Sequence, residues 1–152
     1  MAEAILQSLL AKDPANLARV SSAGTGAVEG TPATALAVTV CAENGVDVRE
    51  HRSKALTAAL IRASDLVLGM EPHHLEYARG LVSSAADRIH LITEKGLAPG
   101  AAPSSGVADP MGGTADQYRD TYNRIRSHLL GWIPVIRESV ERREGVRRSS
   151  EP

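Results

Sequence analysis

The segment that most restricts what this chain can fold into is Asp65-Leu66-Val67-Leu68-Gly69-Met70. Leu66-Val67-Leu68 has no polar interruption, so both faces of the extended segment are apolar, and such a strand needs cover on both sides. Pro72 follows almost at once and opens a helical pattern through Leu75, Ala78 and Leu81. Two further strand candidates lie between helical stretches: Leu17 to Ser22, and Arg88 to Thr93 with Ile89 and Leu91 alternating. Helical stripes run through Ile5, Leu6, Leu9 and Leu10; through Ala33, Leu36, Ala37, Val40 and Cys41; and through Leu56, Ala59, Leu60 and Ala63. Pro32 fits the first turn of the second of these helices, and Gly45 fits its end. Thr114-Ala115-Asp116-Gln117 has the spacing of a capping box and launches Tyr118, Tyr122, Ile125 and Leu129 along one face. Gly131 and Pro134 are predicted to bend or interrupt that last helix near Trp132. Strands alternating with helices predict an α/β layered fold with a parallel sheet. No internal repeat is evident.

Composition narrows the function classes. A chain of 152 residues fits one domain. It can bury about two thirds of the surface its unfolded chain would expose. With no Phe, one Trp and three Tyr, its core must be aliphatic, filled by Ala, Leu and Val. A net charge of −1 gives no general attraction to nucleic acid or to an anionic membrane. No apolar run reaches the length of a membrane span, and the single cysteine suits a reducing compartment, so the expected location is the cytoplasm. Lys95 to Ala108 is rich in Gly, Pro, Ser and Ala and leads directly to Asp109. The predicted organisation is one domain over 1–140 and a polar tail over 141–152 that frays.

Several residue clusters invite chemical readings. Cys41 is the only thiol, but a Cys-x5-Arg pattern would require Arg where Asp47 stands, and Ala42-Glu43-Asn44 is no glycine-rich cradle. On the apolar face of its helix, Cys41 reads as a small core residue. His73 and His74 are adjacent and point to different sides of a helix, with no carboxylate at ligand spacing, so no metal site is expected. Gly24-Thr25-Gly26 is too short for a dinucleotide fingerprint. Arg142-Arg143 and Arg147-Arg148 alternate with Glu and read as a solvated tail, not a nucleic-acid arm.

Four motifs occur in order: Ser21-Ser22-Ala23-Gly24-Thr25, His51-Arg52-Ser53, Ala63-Ser64-Asp65-Leu66-Val67-Leu68-Gly69-Met70, and Asp109-Pro110-Met111-Gly112-Gly113. Together they resemble the low-molecular-weight protein tyrosine phosphatases. That family opens with a strand, a Cys-x5-Arg-Ser-Pro loop and a helix that commonly starts Met-Ala-Glu-Ala, and the present sequence begins at Met1-Ala2-Glu3-Ala4. The resemblance implies a three-layer α/β fold, a small parallel sheet flanked by helices, lacking the first, central strand of the family's 2-1-3-4 order. It implies hydrolysis of a phosphorylated protein, most of all phosphotyrosine, through a cysteinyl-phosphate intermediate with no metal or cofactor. Asp109 matches the proton donor. Ser22 and His51 match residues that steady the phosphate loop; each alone also reads as a turn hydroxyl and a loop histidine. Val28 and Met111 match the rim of the substrate cleft, or are simply exposed loop residues.

Thiol-dependent arsenate reductases need further cysteines after the third strand, and Gly69-Met70-Glu71-Pro72-His73 has none. A protein-arginine phosphatase remains an alternative, as does a non-catalytic interaction module. The resemblance leads to three expectations. Either Met1 is an internal methionine or the chain is a degenerate paralogue, the first being preferred because Asp109, Ser22 and His51 are present. The chain as written does not turn over. Its sheet is left with open edges and marginal stability. Oligomeric state is not legible.

Overall fold

The computed structural model describes residues 1–12, 18–96 and 105–148, with side chains described to 143. Five α-helices and two strands follow in the order α1 (Ala2–Leu10), α2 (Ala35–Glu43), α3 (Ala58–Ala63), β1 (Val67–Gly69), α4 (Pro72–Leu81), β2 (Ile89–Leu91) and α5 (Ala115–Arg148). Short 3-10 turns, Ser83–Arg88 and Ile92–Glu94, flank β2.

The two strands pair in parallel, with Val67 opposite Ile89, Leu68 opposite His90 and Gly69 opposite Leu91. Successive side chains of a strand point to opposite faces, and β1 feeds two separate cores. Leu66, Leu68 and Met70 pack on the larger one, built from Ile5, Val40, Cys41, Tyr118, Tyr122, Trp132 and their neighbours on α1, α2 and α5. Val67 packs on the smaller one, with Ile61, Leu75, Ala78, Val82 and Ile89 from α3, α4 and β2. The sheet is therefore the middle layer, as the unbroken apolar run requires.

Local chemistry sets the helix ends. Thr34 and Thr57 cap α2 and α3 by accepting from the Ala37 and Leu60 amides. Pro72 occupies the first turn of α4. Thr114 and Gln117 close the reciprocal bonds of a capping box at α5: the Thr114 amide donates to Gln117 Oε1 at 2.7 Å, and the Gln117 amide to Thr114 Oγ1 at 3.3 Å.

Four expectations need correction. Residues 18–22 are not a strand; the Ser22 amide donates to the Glu3 carboxylate, not to a neighbouring strand, and Leu17 lies outside the described residues. The other two strands are shorter than their apolar runs, because flanking 3-10 turns take over the ends of the second and Asp65 is drawn to Arg143. Pro32 precedes α2 and forms an isolated bridge with Arg52 instead of entering the helix. α5 runs through Gly131 and Pro134 without a break. The carbonyl that Pro134 leaves without its helical donor belongs to Leu130; both residues are exposed, so the missing bond falls on the solvent side of the helix. Buried Leu129, Trp132 and Ile136 hold the helix to the core on either side.

Gly131 has a separate reason to be glycine. A Cβ there would lie 2.2 Å from the Gly96 nitrogen and 2.5 Å from its Cα. The backbone at Lys95 and Gly96 lies directly on α5. It is tied there by His128 Nδ1, which donates to the Lys95 carbonyl at 2.7 Å, and by Trp132 Nε1, which donates to the Ile92 carbonyl at 2.8 Å. Residues 97–104, the centre of the segment read as loose, lie outside the described residues, as do 149–152 of the tail; 141–148 continue α5.

Candidate functional site

Ser22 and His51 lie in one polar group, Asp109 and Met111 in another, and Val28 on a separate loop. The first gathers at the start of α1. Glu3 Oε2 accepts from both the Ser22 amide, at 2.8 Å, and the Ser22 hydroxyl, at 2.5 Å. His51 Nδ1 stands 3.9 Å from the same oxygen. Ser22 and His51, 29 positions apart in sequence, thus meet at one carboxylate. Sequence reasoning gave Glu3 no site role. The available signal was an acid in the first turn of a helix, where the partial positive charge of the N-terminus favours it.

Beside this group is a cavity of about 350 Å³ lined by Met1, Glu3, Gln7, Asp47, Glu50 and His51, among others. Its carboxylates outnumber its cations. Bonds from Arg49 neutralise Asp47 and hold its carboxyl down to about 2. A phosphate dianion entering this cavity would meet Glu3 and Glu50 with no arginine lining the wall.

The second group holds Asp109 at the carboxyl end of β1. The Val107 amide donates to the Met70 carbonyl at 2.7 Å, and the Val107 side chain is buried. Gly106 makes that approach possible: its φ is +117°, and a Cβ would lie 2.4 Å from the Met70 oxygen. Asp109 follows, exposed, with Oδ1 accepting from the Met111 amide at 2.9 Å in an Asx turn. The Gly113 amide closes the next turn on the Pro110 carbonyl at 2.8 Å. Burial pushes the imidazole of His74, at the start of α4, below its ordinary value, with adjacent His73 acting in the same sense and the Glu71 and Asp109 charges opposing. His74 Nδ1 accepts from the Glu71 amide at 3.1 Å, so a neutral ring carries its proton on Nε2.

Val28 and Met111 remain about three-quarters exposed, on two different loops. The Val28 loop is firmly tied. Its carbonyl accepts from the Ser53 and Thr31 hydroxyls, Gly24 and Gly30 donate to the Lys54 and Ser53 carbonyls, and Ala55 donates to Glu29. Neither Val28 nor Met111 offers an aromatic face.

Cys41 is fully enclosed in the larger core, and burial pushes its thiol above the ordinary value. The group is a poor source of thiolate. Among the described residues no cluster of three His, Cys, Asp or Glu side chains could hold a metal ion, and no helix is long and apolar enough to cross a membrane.

The sequence model of the family described as low molecular weight phosphotyrosine protein phosphatase matches residues 1–144. A probable low molecular weight protein-tyrosine-phosphatase, EpsP of Ralstonia solanacearum, is 29% identical over 90% of this chain and 86% of its own length. A protein-arginine-phosphatase of Bacillus subtilis is 31% identical over 85% of this chain and 82% of its own. The crystal structure of a low molecular weight protein tyrosine phosphatase from T. tengcongensis superposes with a TM-score of 0.77 at 31% identity, covering 88% of this chain and 87% of that one. Vibrio vulnificus Wzb in complex with benzylphosphonate gives 0.72 at 32% identity, covering 86% and 85%.

Proposed function

Since the chain belongs to the low molecular weight phosphotyrosine protein phosphatase family, whose model spans residues 1–144, we propose that it carries the leaving-group half of a protein phosphatase site, and that these 152 residues by themselves do not hydrolyse phosphomonoesters. The carrying observation is Cys41: the sole thiol of the sequence is sealed in the core, and Asp47 stands where a Cys-x5-Arg pattern would need arginine.

Displacement at phosphorus by a thiolate expels an alkoxide or phenoxide, which needs a proton as the P–O bond breaks. Asp109 is the donor in this reading. Pro110 confines it to extended backbone, the Asx turn orients its carboxyl, and the bond from Val107 to Met70 anchors the segment at the strand end. The same carboxylate then takes a proton from the water that cleaves the thiophosphate. Ser22 and His51, gathered by Glu3, are the supporting shell of the phosphate loop. Val28 and Met111 form the rim. The substrate is a phosphorylated protein, with phosphotyrosine the first choice, and the setting is the cytoplasm. A second reading, phosphoarginine, gains weight because both rim residues are non-aromatic and so grip an aromatic ring weakly.

Hydrolysis of p-nitrophenyl phosphate tests the proposal in two steps. The 152-residue chain should show no turnover above buffer, with Cys41→Ser indistinguishable; turnover abolished by Cys41→Ser would overturn the reading. Fusing an apolar strand and a Cys-x5-Arg-Ser-Pro loop ahead of Met1 should create activity. In that fusion Asp109→Asn should lower kcat by about 100-fold or more, and an unchanged kcat would remove Asp109 from the role.

A further inference from the structure

The peptide group that links Met70 to Glu71, between β1 and α4, is engaged at both ends. Its carbonyl oxygen accepts from the Val107 amide at 2.7 Å, and its N–H donates to His74 Nδ1 at 3.1 Å. The first bond anchors the segment that carries Asp109. The second belongs to the first turn of α4, where His74 takes the third position of a capping box that begins at Glu71. Hydrogen bonds at the two ends of one amide polarise each other, and both require the same orientation of the peptide plane. A rotation that breaks one misaligns the other.

Packing leaves this peptide little room. The Gly106 backbone lies on it: a Cβ at Gly106 would stand 2.4 Å from the Met70 oxygen and 3.1 Å from the Glu71 Cα. Gly69, one residue earlier, is pressed against α4: a Cβ there would meet Leu75 Cδ1 at 2.4 Å and His74 Cβ at 3.2 Å. The Gly106 carbonyl accepts from Arg124 of α5 at 3.0 Å. A guanidinium stays charged at any pH of interest, so that tether does not titrate. The Val107 tether is different, because it shares its peptide with His74.

His74 Nδ1 can accept a hydrogen bond only while it carries no proton. Protonating the ring turns Nδ1 into a donor facing the Glu71 N–H, another donor, and the bond is lost. Burial and His73, whose ring centroid is 4.1 Å away, keep the imidazole neutral; the Glu71 and Asp109 carboxylates act in the opposite sense. These three are the titratable groups that act on it, two from the start of α4 and one from the facing segment. β1 presents only Val67, Leu68 and Gly69 to α4. α3, β2 and the Ser83–Arg88 turn also pack along α4 and add no charge that acts on the ring.

We propose that His74 is a positioning residue for Asp109, acting through the Met70–Glu71 peptide: the neutral imidazole holds that peptide in the orientation that fixes Val107 and, through it, the aim of the Asp109 carboxyl. The inference rests on Asp109 being the proton donor.

The test follows the backbone amide NMR signals of Glu71, Val107 and Met111, with the ring signals of His74, in the full chain from about pH 8 downward until the ring is protonated. All three amides are expected to move with the midpoint of the ring. Asp109→Asn removes the carboxylate's own titration and keeps an Oδ1 for the Met111 amide, and the coupling should persist in it. His74→Gln places a non-titrating acceptor at the same capping position and should hold the amides at their high-pH positions throughout. His74→Leu should leave them displaced at every pH. A purely structural cap would move Glu71 alone. In the fusion described above, His74→Leu should lower kcat about tenfold with KM unchanged, and His74→Gln should restore most of it. Circular dichroism checks the fold of each variant. Val107 and Met111 amides that ignore the His74 midpoint, that move equally in His74→Gln, or a full kcat in the His74→Leu fusion would overturn the proposal. The two readings fail separately: an unchanged kcat in the Asp109→Asn fusion removes the donor, whereas uncoupled amides remove His74 and leave the donor in place.

Discussion

Glu3 and Gly131 show how much one position can carry when its role depends on something distant. Glu3 gathers Ser22 and His51 because a carboxylate has two oxygens with several lone pairs, and because the start of α1 favours negative charge. Ser22 and His51 were legible as site candidates through their motifs; the carboxylate joining them was hidden in what looked like an ordinary helix start. Gly131 looked like a helix breaker and is instead a contact point, where the Gly96 backbone occupies the space a side chain would need. Gly131→Ala is therefore expected to destabilise the protein by about 2–3 kcal/mol through overpacking, despite the better helix propensity of alanine. Urea unfolding measures it; a gain in stability would show that residues 95–96 do not lie on α5 as described.

At the scale of elements, helices were easier to read than strands. The α2, α3, α4 and α5 stripes carry caps, a proline start or a glycine stop within a few residues of their ends, and those signals are local. Thr114→Ala should cost about 1 kcal/mol through loss of the cap to Gln117, and Gln117→Ala a comparable or smaller amount, again by urea unfolding. If neither changes stability, the first turn of α5 frays in solution. The strands are three residues each, and their ladders need partners far away in sequence. Residues 18–22 have strand-like composition, but a side chain of α1 takes the Ser22 amide. The pattern of apolar residues says that a segment can be a strand; only the presence of a neighbour with free N–H and C=O groups makes it one.

For the whole molecule, β1 is the critical element. It separates two cores, yet among the described residues it pairs only with β2, and Leu66, Val67, Leu68 and Met70 remain partly exposed. An apolar strand with one open edge is a template for association. The 152-residue chain is expected to unfold at low temperature or to elute as aggregate in size-exclusion chromatography; a monomeric, cooperative melt above about 65 °C would contradict this. By itself the sequence determined the layered α/β class, the four downstream helices, a strand within Asp65–Met70, of which Val67–Gly69 is extended, and the place of Cys41 in the core. These follow from periodicity, capping chemistry and the count of thiols, all local properties of the chain. Only the tertiary structure decided that residues 18–22 form no strand, that α5 passes Pro134 intact, and that Glu3 joins Ser22 to His51. Each of these depends on which surfaces come together across tens of residues, and the free energy of such contacts resides in the pair, not in either stretch of sequence alone.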